Sequence, residues 1–381
     1  METVFGFCAA LLLAFNLLGI GLAGWRLSRP GGGNELTRQK PAVSVVIPLR
    51  GIENFTPLTL ARAFQLDWPN YELLFCVADE FDPVIEEVRK AQAAFPMVPA
   101  QLLVGDDRIS ANPKLNNCVK GWREAHHDWV ILADSNVLMP ENYIEQLLSA
   151  WQNDTGLVCS PPLGSRPDGF WAHVECAFLN GSQARWQYAA EAIGMGFAQG
   201  KSMLWNKPML ESRGGIRALA AEIAEDAAST KLVRQAGLKV RLVSSPFEQP
   251  LGERRGAEIW SRQTRWARLR RVTFPQYFAP EILTGALPPL VLSLIAASLA
   301  DIDLVATTLA VIAIMYGPEL MLALLNGWPV SFYTLPAMIV RDLTMPLIWA
   351  RSWIGAPVAW RGNVMTIGTA ESTLAGPSSE R

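Results

Sequence analysis

The stretch WVILADSNVLMP, residues 129–140, places a carboxylate and an amide directly after a run of five apolar residues. A short apolar run that ends at polar residues is typical of a buried β-strand. Five further runs of this kind lie at residues 44–48, 72–77, 101–104, 157–160 and 239–243. Helical patterns at 83–94 and 141–152 lie between some of these runs. The alternation predicts an α/β domain with a mostly parallel sheet covered by helices.

The composition indicates that part of the chain lies in lipid. Of the 381 residues, 50% are hydrophobic and 18% are charged, whereas an average soluble domain has ~25% charged residues. The length fits about two domains. The net charge is −2, the basic residues are bunched rather than spread, and no nucleic acid is expected as a partner.

The cysteines are predicted to be reduced thiols that face a reducing compartment. Their number is odd, no two of them have CxxC spacing, and histidine is too sparse to complete a zinc site. They are Cys8, Cys76, Cys118, Cys159 and Cys176.

An apolar run near the N-terminus, Phe5–Trp25, is interrupted only by Asn16 and is long enough to span a bilayer. It has no basic residue before it and exceeds a typical signal-peptide core, so we expect it to be retained as an anchor. The positive-inside rule places the next segment in the cytoplasm, because basic residues follow the run. These are Arg26, Arg29, Arg38 and Lys40.

The C-terminal third is apolar again. Ile282–Ala300 carries no charge, Leu304–Leu325 is expected to break near its middle at GPE, and Val330–Ala350 carries Arg341 and Asp342. Ionisable residues at membrane depth are costly and usually pair with one another or line a cavity. The third segment therefore either spans the membrane or lies at its surface. We expect two to three C-terminal transmembrane helices.

Three acidic positions are candidates for chemistry, each after a predicted strand or at a helix start: Asp79, Asp134 and the pair Glu225-Asp226. Carboxylates at the carboxyl ends of parallel strands point into the usual ligand crevice of such a sheet. One or two of them can bind a hard cation together with substrate phosphates, and another can act as a general base. Each also has an ordinary explanation, as a helix N-cap or a solvated helix start.

Two basic motifs accompany the carboxylates. The loop NPKLNN, residues 112–117, offers Lys114 as a point charge for a phosphate, although Asn-Pro is also an ordinary turn. In SRQTRWARLRR, residues 261–271, helical spacing places Arg262, Arg265 and Trp266 on one face. The remaining arginines of that segment are assigned to a positive collar beside the membrane. They are Arg268, Arg270 and Arg271.

These motifs, in this order, resemble those of the inverting, membrane-bound glycosyltransferases of the GT-A fold. More narrowly, they resemble the ceramide glucosyltransferases of glycosyltransferase family 21. The resemblance covers nearly the whole chain and points to a bacterial member. The stretches that carry it are PLRG, LDWPNYELLFCVADEFDP, NPKLNN, ILADSNV, AEDAASTK and RQTRW, with WRG and IGTAE near the end.

The resemblance implies a UDP-sugar donor and a divalent metal, Mg²⁺ or Mn²⁺. It implies that Asp79 contacts the uridine end of the donor and that Asp134, with Asn136 nearby, forms the metal-diphosphate site. A strict D-x-D motif has a carboxylate where this chain has Asn136, which weakens the expected metal site. Three further residues are assigned to substrate binding, namely Lys114, Asn116 and Asn117.

The resemblance also implies that Asp226 is the catalytic base and that Arg262, Arg265 and Trp266 form the R-x-x-R-W element of the active site. Animal members carry a histidine in a G-T-S-H segment, and the matching stretch here, NGSQAR, has Gln183 instead. A role assigned to that histidine does not transfer to this chain.

The expected activity is transfer of a sugar, glucose by resemblance, from a UDP-sugar to the primary hydroxyl of ceramide. Galactose, glucuronic acid and N-acetylglucosamine stay open as the sugar. A hopanoid, diacylglycerol or polyprenyl phosphate stays open as the acceptor. The rival from another class is a non-catalytic membrane protein with a degenerate nucleotide fold. The enzyme is expected in the bacterial inner membrane, with its catalytic domain facing the cytoplasm.

The predicted domain organisation follows the alternation of apolar and mixed segments. It comprises an N-terminal anchor at 1–26, a linker at 27–41, a GT-A domain at 42–255, an amphipathic interfacial segment at 256–281, C-terminal transmembrane or interfacial helices at 282–361 and a tail at 362–381.

Overall fold

The computed structural model describes residues 1–29, 33–354, 357–360 and 363–366. The chain divides into two compact units. The helical unit comprises Met1–Pro30, Pro162–Gly196 and Glu248–Ile354. The sheet unit comprises Gly31–Pro161 and Phe197–Phe247, together with the described residues after 354. The tail expected at 362–381, including IGTAE, lies outside the described residues apart from 363–366.

The helices, in chain order, are α1 (Glu2–Leu27), α2 (Glu35–Gln39), α3 (Thr56–Ala63), α4 (Val84–Ala94), α5 (Pro113–Glu124), α6 (Tyr143–Ser149), α7 (Gly169–Cys176), α8 (Arg185–Ala192), α9 (Lys207–Glu211), α10 (Glu225–Gln235), α11 (Gly256–Thr273), α12 (Pro275–Phe278), α13 (Leu287–Leu299), α14 (Leu304–Leu325) and α15 (Thr334–Ser352). A π-helix, Ala177–Ala184, joins α7 to α8, and 3-10 helices lie at Gly215–Ala221 and Ala279–Leu283.

The strands, in chain order, are β1 (Val43–Leu49), β2 (Tyr71–Val77), β3 (Ala100–Val104), β4 (Trp129–Ala133), β5 (Thr155–Cys159), β6 (Pro162–Asp168), β7 (Ser202–Asn206), β8 (Lys239–Leu242), β9 (Phe247–Glu253), β10 (Pro357–Trp360) and β11 (Asn363–Thr366). Strands β6 and β9 form one small sheet, and β10 and β11 form another.

The sheet unit is built on a seven-stranded sheet of order β3-β2-β1-β4-β7-β5-β8. Strand β1 runs parallel to β2 and β4, β2 to β3, and β5 to β8. Only β7, among the strands of this sheet, is antiparallel to its neighbours β4 and β5. All six predicted strands belong to the sheet, so the mostly parallel α/β domain is confirmed.

Strands buried on both faces explain the near-continuous apolar runs of the sequence. Every residue of β1 and β4 is buried. Helix α5 packs directly on β1 and β2, and Gly121 makes this approach possible. A Cβ atom at Gly121 would lie 2.5 Å from Val46 Cγ1 and 2.6 Å from Cys76 Sγ, which is closer than side chains pack.

In the helical unit, α1 packs against α8, α13 and α14, and α15 packs against α7 and α11. Asn16, the one polar interruption of the N-terminal apolar run, is buried and accepts a hydrogen bond of 2.6 Å from Arg185. The interruption is therefore a point of attachment between α1 and α8.

Two helices of the described residues are long and apolar enough to cross a membrane, α1 and α14. The pair Pro275–Leu283 and Leu287–Leu299 reaches the same length and apolarity only as one span bent by 42°. Candidate spans at both ends of the chain confirm the predicted arrangement. The C-terminal candidates number one, or two with the bent pair, and α15 does not qualify. The break expected at GPE is wrong, because α14 continues through Pro318.

The ionisable residues of α15 are paired inside the helical unit. Arg341 donates to Glu319 at 2.5 and 3.2 Å and to Asp342 at 2.8 Å. Asp342 also accepts hydrogen bonds from the Tyr316 hydroxyl and from the Ala286 amide, both at 3.1 Å. The expectation that charges in this region pair with one another is met, since each of the three charged side chains is at most 4% exposed.

Candidate active site

The N-terminus of α5 places Lys114 in the sheet unit. Asn112 caps the helix, because its side chain accepts hydrogen bonds from the amides of Lys114 and Leu115. Pro113 occupies the first helical turn, where its missing N–H costs nothing. Asn112 also donates to Glu225 at 2.6 Å. The turn predicted at NPKLNN is thus a capped helix start.

Lys114 joins two carboxylates that are far apart in the sequence. Its ammonium lies 2.7 Å from Asp134 Oδ1 and 2.7 Å from Glu225 Oε1, and it donates to the carbonyl of Gly200. Asp134 follows β4, a strand of the parallel part of the sheet, and Glu225 opens α10. The structure therefore brings the NPKLNN, DSN and AED motifs into one charged cluster.

A second lysine completes the cluster. Lys201 lies 2.9 Å from Asp134 Oδ2 and 3.0 Å from Asn136 Oδ1. Lys201 directly precedes β7, the strand of the seven-stranded sheet that the sequence did not predict. Sequence reasoning missed Lys201 for this reason, and the only signal was a Gly-Lys pair before a short apolar run.

The two lysines set the charge state of Asp134. Burial would raise the pKa of this carboxyl, but the ammonium groups of Lys114 and Lys201 lower the pKa to about 2. Burial lowers the pKa of Lys114, and the carboxylates of Asp134 and Glu225 more than reverse this, so that its pKa stands above the ordinary lysine value. The contact is therefore an ion pair at neutral pH.

Asp226 has the opposite electrostatic character. Burial raises the pKa of its carboxyl, the charge of Glu225 raises it further, and Lys114 offsets only part of this, which leaves the pKa at about 7. The Ala227 amide donates to Asp226 Oδ1 at 2.8 Å. A carboxyl with a pKa near the working pH has the property required of a general base.

Asp79 lies just after β2, at the same carboxyl edge of the parallel strands as Asp134, with β1 between their strands. Its side chain is exposed and accepts a hydrogen bond of 3.0 Å from the Phe81 amide. This contact shapes the turn and leaves the residue open to solvent.

Asn116 and Asn117 are used within the protein. Asn116 accepts from the amides of Ile109 and Ser110 and donates to the Ser110 carbonyl. Asn117 donates to the carbonyls of Leu49 and Cys76, at the ends of β1 and β2, and accepts from Lys120. Both amides thus hold α5 and its preceding loop in position, and they are at most 6% exposed.

The R-x-x-R-W residues lie on α11 in the helical unit. Arg262 donates to Glu175 at 2.6 Å, and Glu175 is fully buried. Trp266 packs against Cys176, Leu179 and Leu251. Sequence reasoning did not identify Glu175, because nothing in FWAHVEC marks its carboxylate as the partner of a distant arginine.

The collar arginines of α11 have separate partners. Arg268 donates to the Ile354 carbonyl at 3.0 Å, Arg270 pairs with Glu281 at 2.7 Å, and Arg271 lies over the ring of Trp353. These partners differ from Glu175, the partner of Arg262.

The side-chain oxygens of Asp134 and Asn136 are ligands of the kind that hard cations prefer. A carboxylate oxygen of Asp134 and the amide oxygen of Asn136 converge on one positive charge, which is the Lys201 ammonium. Mg²⁺ is commonly held by one or two carboxylates plus substrate phosphates. The two protein oxygens are therefore as many protein ligands as such a site commonly has. Among the described residues, no group of three or more His, Cys, Asp or Glu side chains could hold a metal.

Comparison with known proteins identifies the family of the chain. A model of glycosyl transferase family 21 matches residues 11–373. Ceramide glucosyltransferase 3 of Caenorhabditis elegans is 25% identical over 370 residues, which cover 95% of this chain and 79% of the relative. Ceramide glucosyltransferase 1 of the same organism is 25% identical over 333 residues, or 85% and 71% of the two chains.

Among solved structures, a mannosyltransferase from Pyrobaculum calidifontis, in complex with GDP-Man and Mn²⁺, superposes with a TM-score of 0.53 at 16% identity. The match covers 93% of this chain and 98% of the other, and it shows the fold. The family match and the fold together define a glycosyltransferase of the GT-A class. The chain belongs to glycosyl transferase family 21 and is similar to its ceramide glucosyltransferases.

Proposed function

We propose that this enzyme transfers glucose from UDP-glucose to the primary hydroxyl of ceramide, with inversion at the anomeric carbon. The observation that supports the mechanism is the difference in pKa between the carboxyls of Asp226 and Asp134. One carboxyl has a pKa of about 7 and the other is held ionised between two lysines, with a pKa of about 2. Two carboxyls whose surroundings separate their pKa values so widely take different roles in a reaction.

The donor is proposed to bind at the carboxyl edge of the sheet, as ligands do in α/β domains. Asp79 is exposed there and is assigned to the uridine end. The ammonium groups of Lys114 and Lys201 are assigned to the diphosphate, where they would neutralise the charge that grows on the leaving group. The hydrogen bonds of Asn116 and Asn117 to loop and strand backbone support a positioning role for these two amides.

A divalent cation, Mg²⁺ or Mn²⁺, is proposed to bind Asp134 and Asn136 in the place of the Lys201 ammonium. When bound, the cation supplies Lewis-acid charge to the diphosphate. The mannosyltransferase of the same fold was solved with Mn²⁺, and the oxygen donors of Asp134 and Asn136 suit this class of ion.

The transfer is proposed to be a single displacement. The acceptor hydroxyl gives its proton to the Asp226 carboxylate while its oxygen bonds to the anomeric carbon. The bond from that carbon to the diphosphate oxygen breaks, and its electron pair leaves with UDP. General-base assistance of this kind contributes ~10²–10⁴-fold. No carboxylate nucleophile is needed, unlike in a retaining mechanism.

The R-x-x-R-W element is proposed to act on the leaving group. Arg262 is held by the fully buried Glu175, so its guanidinium is fixed by a short charge-assisted hydrogen bond. Arg265 is assigned to the diphosphate on the family resemblance. Trp266 is half-buried against Leu179 and Leu251, which supports a role in fixing this face of α11.

The catalytic domain is proposed to face the cytoplasm of a bacterium, with the candidate spans in the inner membrane. Basic residues directly after α1 support this orientation through the positive-inside rule. The predicted boundaries 42–255 and 256–281 stay proposals for the catalytic domain and the interfacial segment. The lipid acceptor and the soluble donor would then meet at the membrane surface.

The proposal is tested by expression of the full chain in a host that lacks glycosphingolipids, followed by mass spectrometry of the lipids. A new hexosylceramide in cells with the wild-type chain, absent with Asp226→Asn, is the expected result. A glycosylated hopanoid or diacylglycerol in its place would overturn the ceramide assignment. No glycolipid at all, with the protein present in the membrane, would favour the non-catalytic alternative.

A further inference from the structure

Three arginines of the helical unit lie close together although they come from two helices. Arg268 and Arg271 are spaced i, i+3 on α11 and therefore share a face. Arg351 lies in the last turn of α15, which packs against α11. The guanidinium groups of Arg268 and Arg351 both donate to the carbonyl of Ile354, at 3.0 and 3.1 Å. The proposed mechanism assigns no role to these three arginines.

In the described part of the chain, Arg271 and Arg351 contact uncharged groups, which are the ring of Trp353 and the carbonyl of Ile354. Burial lowers the pKa of the Arg268 guanidinium, and the charges of Arg351 and Arg271 lower it further. The like charges therefore repel one another, and an anion among them would relieve this repulsion. Arg351 is exposed and the other two arginines are partly exposed, so a ligand can reach them.

Large apolar side chains are exposed beside these arginines. Val272, next to Arg271, is 41% exposed. Trp353 and Ile354, which follow Arg351, are 46% and 63% exposed. Tryptophan is enriched where a membrane protein meets the headgroup layer of the bilayer. Cations beside exposed apolar side chains suit a ligand that combines a negative charge with a hydrocarbon part.

The arginine cluster lies apart from the arginine that pairs with Glu175. Arg262 and Arg271 are separated by nine positions of α11, which is about 14 Å along the helix axis and half a turn around it. The two side chains therefore leave opposite sides of the helix. A group bound between Arg271 and Arg351 is thus separate from the Arg262–Glu175 pair.

We infer that Arg268, Arg271 and Arg351 form a binding site for the phosphate of an anionic phospholipid, whose chains lie along the exposed apolar side chains beside them. Guanidinium groups bind phosphate through paired, charge-assisted hydrogen bonds, and basic pockets between membrane helices bind anionic lipid heads. The sequence predicted a collar of α11 arginines, whereas Arg351 of α15 makes the cluster a discrete site. The inference goes beyond the proposed function, since this lipid is bound and not converted.

The first test measures the affinity for a short-chain anionic phospholipid. The full-length protein in an uncharged detergent is titrated with dioctanoyl phosphatidylglycerol, without a sugar donor. The double variant Arg271→Gln/Arg351→Gln should bind this lipid about 30-fold more weakly, at about 1 kcal/mol for each arginine. Equal affinity of the wild type and the double variant would overturn the site.

The matched control changes another arginine that lies over a tryptophan near a candidate span. Arg29 follows α1, and its guanidinium lies 3.5 Å from the ring centroid of Trp25. Arg351→Gln alone should weaken the binding of phosphatidylglycerol about fivefold, whereas Arg29→Gln should leave it unchanged. Equal losses in the two single variants would indicate a general effect of charge and overturn the discrete site.

Further measurements separate charge from folding and a lipid from a free anion. The variant Arg271→Lys/Arg351→Lys keeps both charges, so it should bind phosphatidylglycerol more tightly than the double glutamine variant. Equal weakness of the two double variants would overturn a site that depends on charge. Dioctanoyl phosphatidylcholine should bind more weakly than phosphatidylglycerol, and equal binding would overturn the anionic class. Displacement of the lipid by inorganic phosphate at the same concentration would overturn the lipid assignment.

Discussion

At the scale of single residues, the two carboxyls of the sheet unit differ in what sets their charge. Asp134 is held ionised by two ammonium groups, whereas Asp226 is held near its titration point by burial and by Glu225. Asp134 is thus suited to a fixed electrostatic role and Asp226 to accepting a proton.

The raised pKa of Asp226 predicts the pH dependence of the reaction. The base acts only when it is deprotonated, so kcat/KM should fall about tenfold per pH unit below a pH of about 7. Asp226→Asn should lower kcat by at least about 100-fold. The measurement is the initial rate against pH with the lipid well below its KM. A flat profile from about two pH units below this pKa to about one unit above it would contradict the assignment.

Lys201 provides a test of the proposed cation site. Its ammonium lies between Asp134 and Asn136, so a divalent cation must displace it. Lys201→Met should therefore lower the Mn²⁺ concentration needed for half-maximal activity, while chelation of the metal abolishes activity in both proteins. Lys207→Met is the control, because Lys207 bonds to the Ala125 carbonyl instead. Activity of the wild type in excess chelator would contradict a metal requirement.

At the scale of elements, α11 carries two sets of arginines with separate partners. Arg265→Ala should abolish transfer while the protein stays in the membrane, because its guanidinium is assigned to the leaving diphosphate. Arg271→Ala should keep most activity, since Arg271 lies over Trp353. Transfer assays on membranes with matched protein content measure both. An equal loss of transfer activity in the two variants would contradict a specific role for Arg265. It would show that transfer depends on the total positive charge of α11.

The elements also show how far the sequence could predict the fold. All six strands with clear apolar runs were found, whereas β7 was missed because only Met203–Trp205 is apolar within it. Because β7 was not predicted, Lys201, which this strand places beside Asp134, was not identified either. The break expected at Pro318 was wrong because a single proline does not end a helix that is packed on its neighbours. The pairing of Arg262 with Glu175 depends on packing between helices, which no local pattern encodes.

At the scale of the whole molecule, buried polar contacts join distant parts of the helical unit. Asn16→Leu makes α1 more apolar, yet it should destabilise the protein, because it removes the hydrogen bond to the fully buried Arg185. A hydrogen bond to a charged group is worth about 1.5–3 kcal/mol. Thermal unfolding in detergent measures the loss, and Leu11→Ile, at an exposed position of the same helix, is the control. A higher melting temperature for Asn16→Leu would contradict the prediction.

The same contacts impose an order on the synthesis of the protein. Asn16 bonds to Arg185, Arg185 lies 3.9 Å from Glu319, and Glu319 pairs with Arg341. The first helix is thus synthesised with a polar group, Asn16, whose partner Arg185 is translated much later. At ~5–20 residues per second, the wait lasts on the order of tens of seconds. During that time the amide of Asn16 lacks the partner that it has in the folded protein.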